Sequence, residues 1–407
     1  MLLVVKQFIL AISMLSLLLQ GCKADAADIN LADGKSYTFS PEPNYSLCTD
    51  KEDKSQLTDG KTYGSWWVKK STVGWLWSST GIEIVIDLEN GISVDKVRVH
   101  SVGGGFADVE FPEFIAVLVS DDAQKYEFAG LIGSDELKDV RSVGHNRVPY
   151  TFIIDDIGTR ARYVKIVIRP EGKHFFLDEI EVIGNRGGLY RRQPDARKFR
   201  AGDSERLLKS IEDYLQARAN ILETMQRFKE QASRLPRDFV KTCRDDLENL
   251  LLEVRLPADR IFSEEEIASI RKRVGVVRAR IYREIYKKAL VCYSTNPMEM
   301  VFEKDMPFPD IEPDNKVDLR LWRNEYESAA VNIMNCSSKE LDLTVSVSPL
   351  MGGDGMVSGD AETSTVRRVV FVKALGSSRV ADALVLQDET PFKLSPGWMT
   401  QIWYSTA

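Results

Sequence analysis

Between residues 82 and 88 the run IEIVIDL sets Ile82, Ile84, Ile86 and Leu88 against Glu83 and Asp87. A period of two puts each of those apolar side chains on one face of a β-strand. VDKVRV (94–99), TFIID (151–155), RYVKIVI (162–168) and EIEVI (179–183) read as strands for similar reasons, and FIAVLV (114–119), apolar at every position, reads as a central one. Turn residues separate these runs and no helical period intervenes, which predicts an antiparallel sandwich over residues 29–185. The period changes after residue 203. Leu208, Ile211, Leu215, Leu222 and Met225 form the stripe of a first helix; Phe239, Cys243, Leu247, Leu251 and Val254 follow Pro236 on a second. A third opens on a capping box, Ser263 with Glu266, and carries Ile267, Ile270, Val274, Val277, Ile281 and Ile285. From residue 296 the β pattern returns, as VDLRL (317–321), AAVNIM (329–334), LDLTVSV (341–347), VRRVVFV (366–372) and GWMTQIWY (397–404).

The pattern predicts a multidomain, mainly β chain with a helical insert. A sandwich at 29–185 is followed by a basic linker at 186–202, a three-helix bundle or coiled-coil spacer at 203–295, and a second sandwich at 296–407. The linker, NRGGLYRRQPDARKFRAGD with its flanks, holds six Lys or Arg and reads as a solvated tether, or as a contact with anionic lipid headgroups. The last strand ends three residues before the sequence does, so the second sandwich is expected to be incomplete.

The N-terminal MLLVVKQFILAISMLSLLLQGC pairs Lys6 with an apolar run ending at Cys22, the pattern of an export signal. Its end looks like the lipobox of bacterial lipoproteins, which implies a signal peptide at 1–21, lipidation of Cys22 and a tether at 22–28. A plain cleaved signal and a membrane span are the other readings. Lipidation implies attachment to the bacterial cell envelope, with Lys23-Ala24-Asp25 pointing to the outer membrane, at its periplasmic face or the cell surface. A net charge of −7 gives no basic face for nucleic acid. Beyond Cys22, the cysteines Cys48, Cys243, Cys292 and Cys336 have no metal-ligand spacing; Cys243 and Cys292 are either a pair or two buried thiols.

Candidate chemistry begins with GSWWVKKSTVGWLWSST (64–80), which gathers Trp66, Trp67, Trp75 and Trp77 among polar residues. Such indoles either plug a core or receive a flat apolar ligand. In order, NLADGKSYTFS, LTDGKTYGSWW, IEIVIDLENGISVDKVRVHS, FPEFIAVLVSDDAQKYEFAG and RYVKIVIRPEGKHFFLDEIEVIG resemble the discoidin, or coagulation-factor 5/8 C-terminal type, domain over about 155 residues. The resemblance implies a galactose-binding-like jelly roll serving as a carbohydrate-binding module. Trp66 or Trp67 matches a family tryptophan that packs inward, whereas Trp75 and Trp77 are expected at the surface. The candidate saccharide site is Trp75, Trp77, His100, Arg169, His174 and Phe175: rings to stack on a sugar's C–H face, and cations and imidazoles for its hydroxyls. The family also implies a structural calcium, here at Asp59, Thr62 and Glu179, whose hard oxygens suit that ion.

The stretch from NPMEMVF to VSPL, with Arg323-Asn324-Glu325-Tyr326-Glu327-Ser328, is similar to the sandwich preceding the catalytic barrel in glycoside-hydrolase-like proteins related to β-N-acetylgalactosaminidases. The resemblance implies the non-catalytic N-terminal portion of such a hydrolase and a galactose- or N-acetylgalactosamine-type glycan. Glu325 and Glu327 share one strand face, but no concave scaffold makes them a catalytic pair. No G-x-S-x-G, H-E-x-x-H, P-loop or helix-opening G-x-G-x-x-G occurs, and the three histidines, His100, His145 and His174, exclude a histidine-rich metal site. The chain is thus expected to bind glycan rather than cut it; the alternative is an adhesion or scaffold lipoprotein that contacts a protein or lipid.

Overall fold

The structure, a computed structural model, describes residues 29–63, 70–78, 81–104, 106–133, 148–185, 198–254, 262–297, 327–346, 350–351, 357–359, 365–373, 379–387 and 390–406. Expectations for Cys22, Trp66, Trp67, His145, the strand 317–321 and Glu325 lie outside these residues. The chain forms two compact units, 1–202 and 203–407.

Unit 1 is an antiparallel β-sandwich with ten strands among the described residues: β1 (Ile29–Asn30), β2 (Tyr37–Ser40), β3 (Val73–Leu76), β4 (Ile82–Gly103), β5 (Phe114–Ser120), β6 (Lys125–Gly133), β7 (Val148–Ile154), β8 (Thr159–Arg169), β9 (His174–Asn185) and β10 (Lys198–Arg200). The two strands expected at 82–88 and 94–99 are one strand of 22 residues. Its first half pairs with β2 and β8, and its second half with β9 and β7. Between them the register slips at Asp87/Ile92, where Glu89 takes a left-handed φ of 67°. The irregularity bends β4 from one layer into the other without ending it. Ile82, Ile84, Ile86 and Leu88 are fully buried, as their period requires, and meet Val117, Ile166, Val164 and Phe152 in the shared core.

The end of the basic stretch is not a tether. Residues 198–200 add β10 to the edge of β6, and Lys165, buried on β8, reaches out to bind it. Lys165 Nζ donates to the Ala201 carbonyl at 3.2 Å, pairs with Glu83 at 2.5 Å and lies 5.2 Å from the Tyr126 ring centroid. A buried ammonium needs such partners to offset its lost hydration.

Unit 2 opens with three helices, α1 (Ser204–Gln231), α2 (Arg237–Glu253) and α3 (Glu264–Tyr286). The capping box forms: Ser263 Oγ accepts the Glu266 N–H at 3.2 Å and a Glu266 carboxylate oxygen accepts the Ser263 N–H at 2.7 Å. Leu208, Ile211, Cys243, Leu247, Val254, Ile267, Ile270, Val274, Val277 and Ile281 are buried along the expected stripes, but Leu215, Leu222 and Met225 are only half-buried and Tyr214, Ile221 and Phe228 take the buried face of α1 in their place, while Phe239, Leu251 and Ile285 are also half-buried. Tyr214 of α1 donates to the Val254 carbonyl at 2.5 Å, satisfying one of the carbonyls left free at the end of α2.

The helices, expected as a spacer, pack on the following sheet. This sheet orders β11 (Leu290–Thr295), β12 (Glu327–Asn335), β19 (Met399–Thr406), β16 (Thr365–Lys373) and β17 (Arg379–Leu386), all antiparallel. Tyr282 of α3 is buried with Val291, Tyr293, Met334 and Cys336 of that sheet. The short pairs β13 (Leu341–Leu343) with β18 (Phe392–Leu394), and β14 (Leu350–Met351) with β15 (Val357–Gly359), complete the described strands. The strand expected over 341–347 stops at Leu343, because its partner β18 is only three residues long. Cys48, Cys243, Cys292 and Cys336 hold thiols rather than disulfides, and no helix among the described residues is long and apolar enough to cross a membrane.

Candidate saccharide site and cation loop

Trp75 and Trp77 part company. Two residues apart on a regular strand, they would share a face. Trp75 points into the core, 1% exposed, with its ring edge-on to Phe39, tilted against Phe175 and donating from Nε1 to the Pro41 carbonyl at 2.9 Å. Trp77 follows the last residue of β3 with a left-handed φ of 56°, which breaks the alternation and turns its indole outward, 58% exposed. The surface position expected of Trp75 is therefore corrected. Phe175 is corrected too: it is the cross-strand partner of Trp75 and equally sealed, so neither ring offers a face to a ligand.

Trp77, His174 and Arg169 lie at one end of the sandwich. The Trp77 N–H donates to the Lys173 carbonyl at 2.9 Å, and Lys173 Nζ lies 5.1 Å from the Trp77 ring centroid. His174, the next residue, is half-exposed at the start of β9. Its Nδ1 lies 3.1 Å from the Ala107 carbonyl, and its ring stands edge-on to Tyr45 at 5.3 Å and parallel to Phe176 at 6.3 Å. The imidazole is thus held in one orientation. Arg169 ends β8 at the other side of the 170–173 loop, half-exposed, with its carbonyl taking the Glu113 N–H at 2.8 Å. Asn44, absent from the expected set, holds the Trp77 turn. Its side chain exchanges two hydrogen bonds with the Leu76 backbone, at 2.6 and 3.1 Å, and no sequence motif distinguishes it from any loop asparagine.

His100 does not join this group. It stands opposite Glu179 in the β4–β9 pairing, five residues along β9 from His174, or about 17 Å at the rise of a strand. Its Nδ1 is hydrogen-bonded to Asp178, which is fully buried and also accepts the Tyr63 N–H at 2.9 Å. That bond ties the loop ahead of Tyr63 to the sheet, a positioning role rather than a ligand contact.

The cation candidates Asp59 and Glu179 belong to the same region as His100. Both Glu179 carboxylate oxygens are buried and have no partner of hydrogen-bond geometry, although the Gly60 and Lys61 amides lie toward them. Burial first, and then the nearby Asp59 charge, push its carboxyl up to about 8. Asp59 is half-buried; it accepts the Lys61 N–H and the Tyr63 hydroxyl, each at 2.9 Å, and the loop turns at Gly60, φ 74°. Thr62 is exposed. Two carboxylates and carbonyl-bearing loop backbone are hard donors, and an orphaned buried carboxylate is the feature a hard cation satisfies, so the donor set fits calcium. Among the described residues, no group of three or more His, Cys, Asp or Glu side chains is arranged to hold a metal; these two carboxylates need loop oxygens beside them.

No family model matches the chain, and no curated protein matches it. Solved structures similar to it include CpGH89CBM32-6 produced by Clostridium perfringens, at 13% identity and a TM-score of 0.25, covering 39% of this chain and 100% of that one. CpGH89CBM32-4 of the same organism, in complex with glcNAc-alpha-1,4-galactose, is similar at 17% identity and a TM-score of 0.25, over 40% and 99% of the two chains. The C-terminal domain of a chitobiase from Bacteroides fragilis is similar at 16% identity and a TM-score of 0.28, over 40% and 100%.

Proposed function

We propose that unit 1 is a carbohydrate-binding module and that the chain is a lipid-anchored glycan-binding protein of the bacterial envelope, held there through Cys22. The observation that carries the binding reading is the outward indole of Trp77 at the end of the sandwich that also bears His174 and Arg169. An indole face receives the axial C–H patch of a pyranose, the guanidinium donates hydrogen bonds to its hydroxyls, and the imidazole exchanges hydrogen bonds with them. Galactose- and N-acetylgalactosamine-type sugars are the proposed class, by the resemblance of the sequence to galactose-binding-like domains. Titrating the full chain with such glycans tests the site. Trp77→Ala and His174→Ala should each weaken binding by about tenfold, the worth of a stacking ring or of a hydrogen bond whose partner is left unsatisfied; parent-like affinity in both variants rejects it.

Calcium is proposed at Asp59 and Glu179 with loop oxygens. When bound, the ion would neutralise two neighbouring carboxylates and stiffen the loop that Tyr63 and Asp178 tie down. Its role is structural, and the saccharide contacts belong to the chain's own side chains.

A further inference from the structure

Within unit 2, a cleft of about 770 Å³ opens between α1 and α3 on one side and the turns beside β13 and β18 on the other. Arg271, Lys272, Lys339 and Lys393 line it, against one lining carboxylate, Glu340. Arg271 is bound to Asp213 at 3.2 Å and Lys393 to Glu340 at 2.8 Å. Lys272 and Lys339, both exposed, have no carboxylate at ion-pair distance among the described residues; Glu340, which is bound to Lys393, also feels the Lys272 charge, so one carboxylate faces three ammonium groups. The cleft therefore has an excess of positive charge in a chain whose net charge is −7.

The walls are set before any ligand arrives. Fully buried Asn335 donates from Nδ2 to the Lys339 and Leu394 carbonyls, both at 2.8 Å, and accepts the Ser337 N–H at 2.8 Å, so one side chain staples the turn that carries Lys339 to the end of β18, which carries Lys393. The next turn seats on α3 because Gly275 has no side chain: an added Cβ would lie 2.3 Å from the Pro396 oxygen and 3.0 Å from Trp398 Nε1. Gly397 takes the left-handed φ of 71° that this approach demands. Trp398, half-exposed in the cleft, has the Arg278 guanidinium 5.1 Å from its ring centroid, which fixes the plane of the indole.

We propose that this cleft is a second ligand site, separate from the sandwich, and that it takes an anionic saccharide. The sugar's C–H face lies on Trp398, its carboxylate or sulfate is held by Lys272 and Lys339, and its hydroxyls meet the Gln216 amide and the Ser338 and Ser395 hydroxyls. A fixed indole, neutral hydrogen-bonding groups and an unbalanced pair of ammonium groups together match a ring that is at once apolar on its faces, hydroxylated on its rim and charged. The proposal does not rest on the reading of unit 1.

Calorimetric titration of the full chain with digalacturonic acid and galactose 6-sulfate tests it, with neutral galactobiose and ATP as comparisons, at low and at raised salt. Saturable binding of an acidic sugar is expected, weakened by salt. The double variant Lys272→Gln, Lys339→Gln should bind it about tenfold or more weakly while melting as the parent does, since both side chains are exposed. Trp77→Ala should leave this binding intact, so failure of the sandwich site and failure of the cleft are told apart. The proposal is overturned if neither acidic sugar binds, if the double variant binds as tightly as the parent, if galactobiose competes equally for the cleft, or if ATP binds more tightly.

Discussion

At the scale of single residues, the site depends on one backbone angle. Trp75 and Trp77 have the same chemistry and the same polar surroundings in sequence, and only the left-handed conformation at Trp77 separates a core ring from an exposed one. A period of two predicts that they share a face, so the outcome was not legible; a non-glycine left-handed residue is rare, and nothing in the run GWLWSS announces it. The two should respond oppositely. Trp75→Ala is expected to cost about 3–5 kcal/mol of stability by opening a cavity, and Trp77→Ala no more than about 0.5 kcal/mol, as read by denaturant unfolding. Equal costs would remove the distinction. Asp53 is a second residue-scale case. Burial raises its carboxyl from the usual 3.8 to about 6, and its Oδ1 is buried with no hydrogen-bond partner. The folded chain thus holds that proton more tightly than the unfolded one, and the stability it confers is complete below about pH 4 and lost as pH rises through about 6. Asp53→Asn, which does not ionise, should flatten the fall in melting temperature over that interval; an unchanged slope would place the titration elsewhere.

Among elements, the helices were the most legible, because their signals are local. Ser263 with Glu266 marks the start of α3, and an apolar stripe of near-heptad step marks its buried face. Ser263→Ala should cost about 1 kcal/mol and shorten protection of the first-turn amides in hydrogen exchange. Strands were less legible where length depends on the partner. LDLTVSV alternates over seven residues, yet only three of the six described ones pair, since β18 offers no more. Likewise, residues 198–200 look like solvated basic chain until the edge of β6 and the Lys165 ammonium are placed beside them. Neither fact is contained in the segment itself.

For the whole molecule, alternating runs and changes of period disclosed a mainly β chain with helices between two β regions, and they did so because burial on one face leaves a repeat in the sequence. The packing of α3 on the second sheet left no such trace: Gly275 and Gly397 sit far apart in sequence and meet only in three dimensions. A cation at Asp59 and Glu179 would act at this scale too. Millimolar calcium should raise the melting temperature of the full chain by several degrees, and Glu179→Gln should abolish the increment; the same increment in the variant would move the ion elsewhere.

The single strand β4 belongs to both layers of unit 1. Most sandwiches can in principle peel, one sheet loosening while the other persists, but here a shared covalent spine passes from each to its opposite across the bulge near Glu89. Tugging on either sheet transmits load through that joint, so unit 1 should yield all at once under force or not at all.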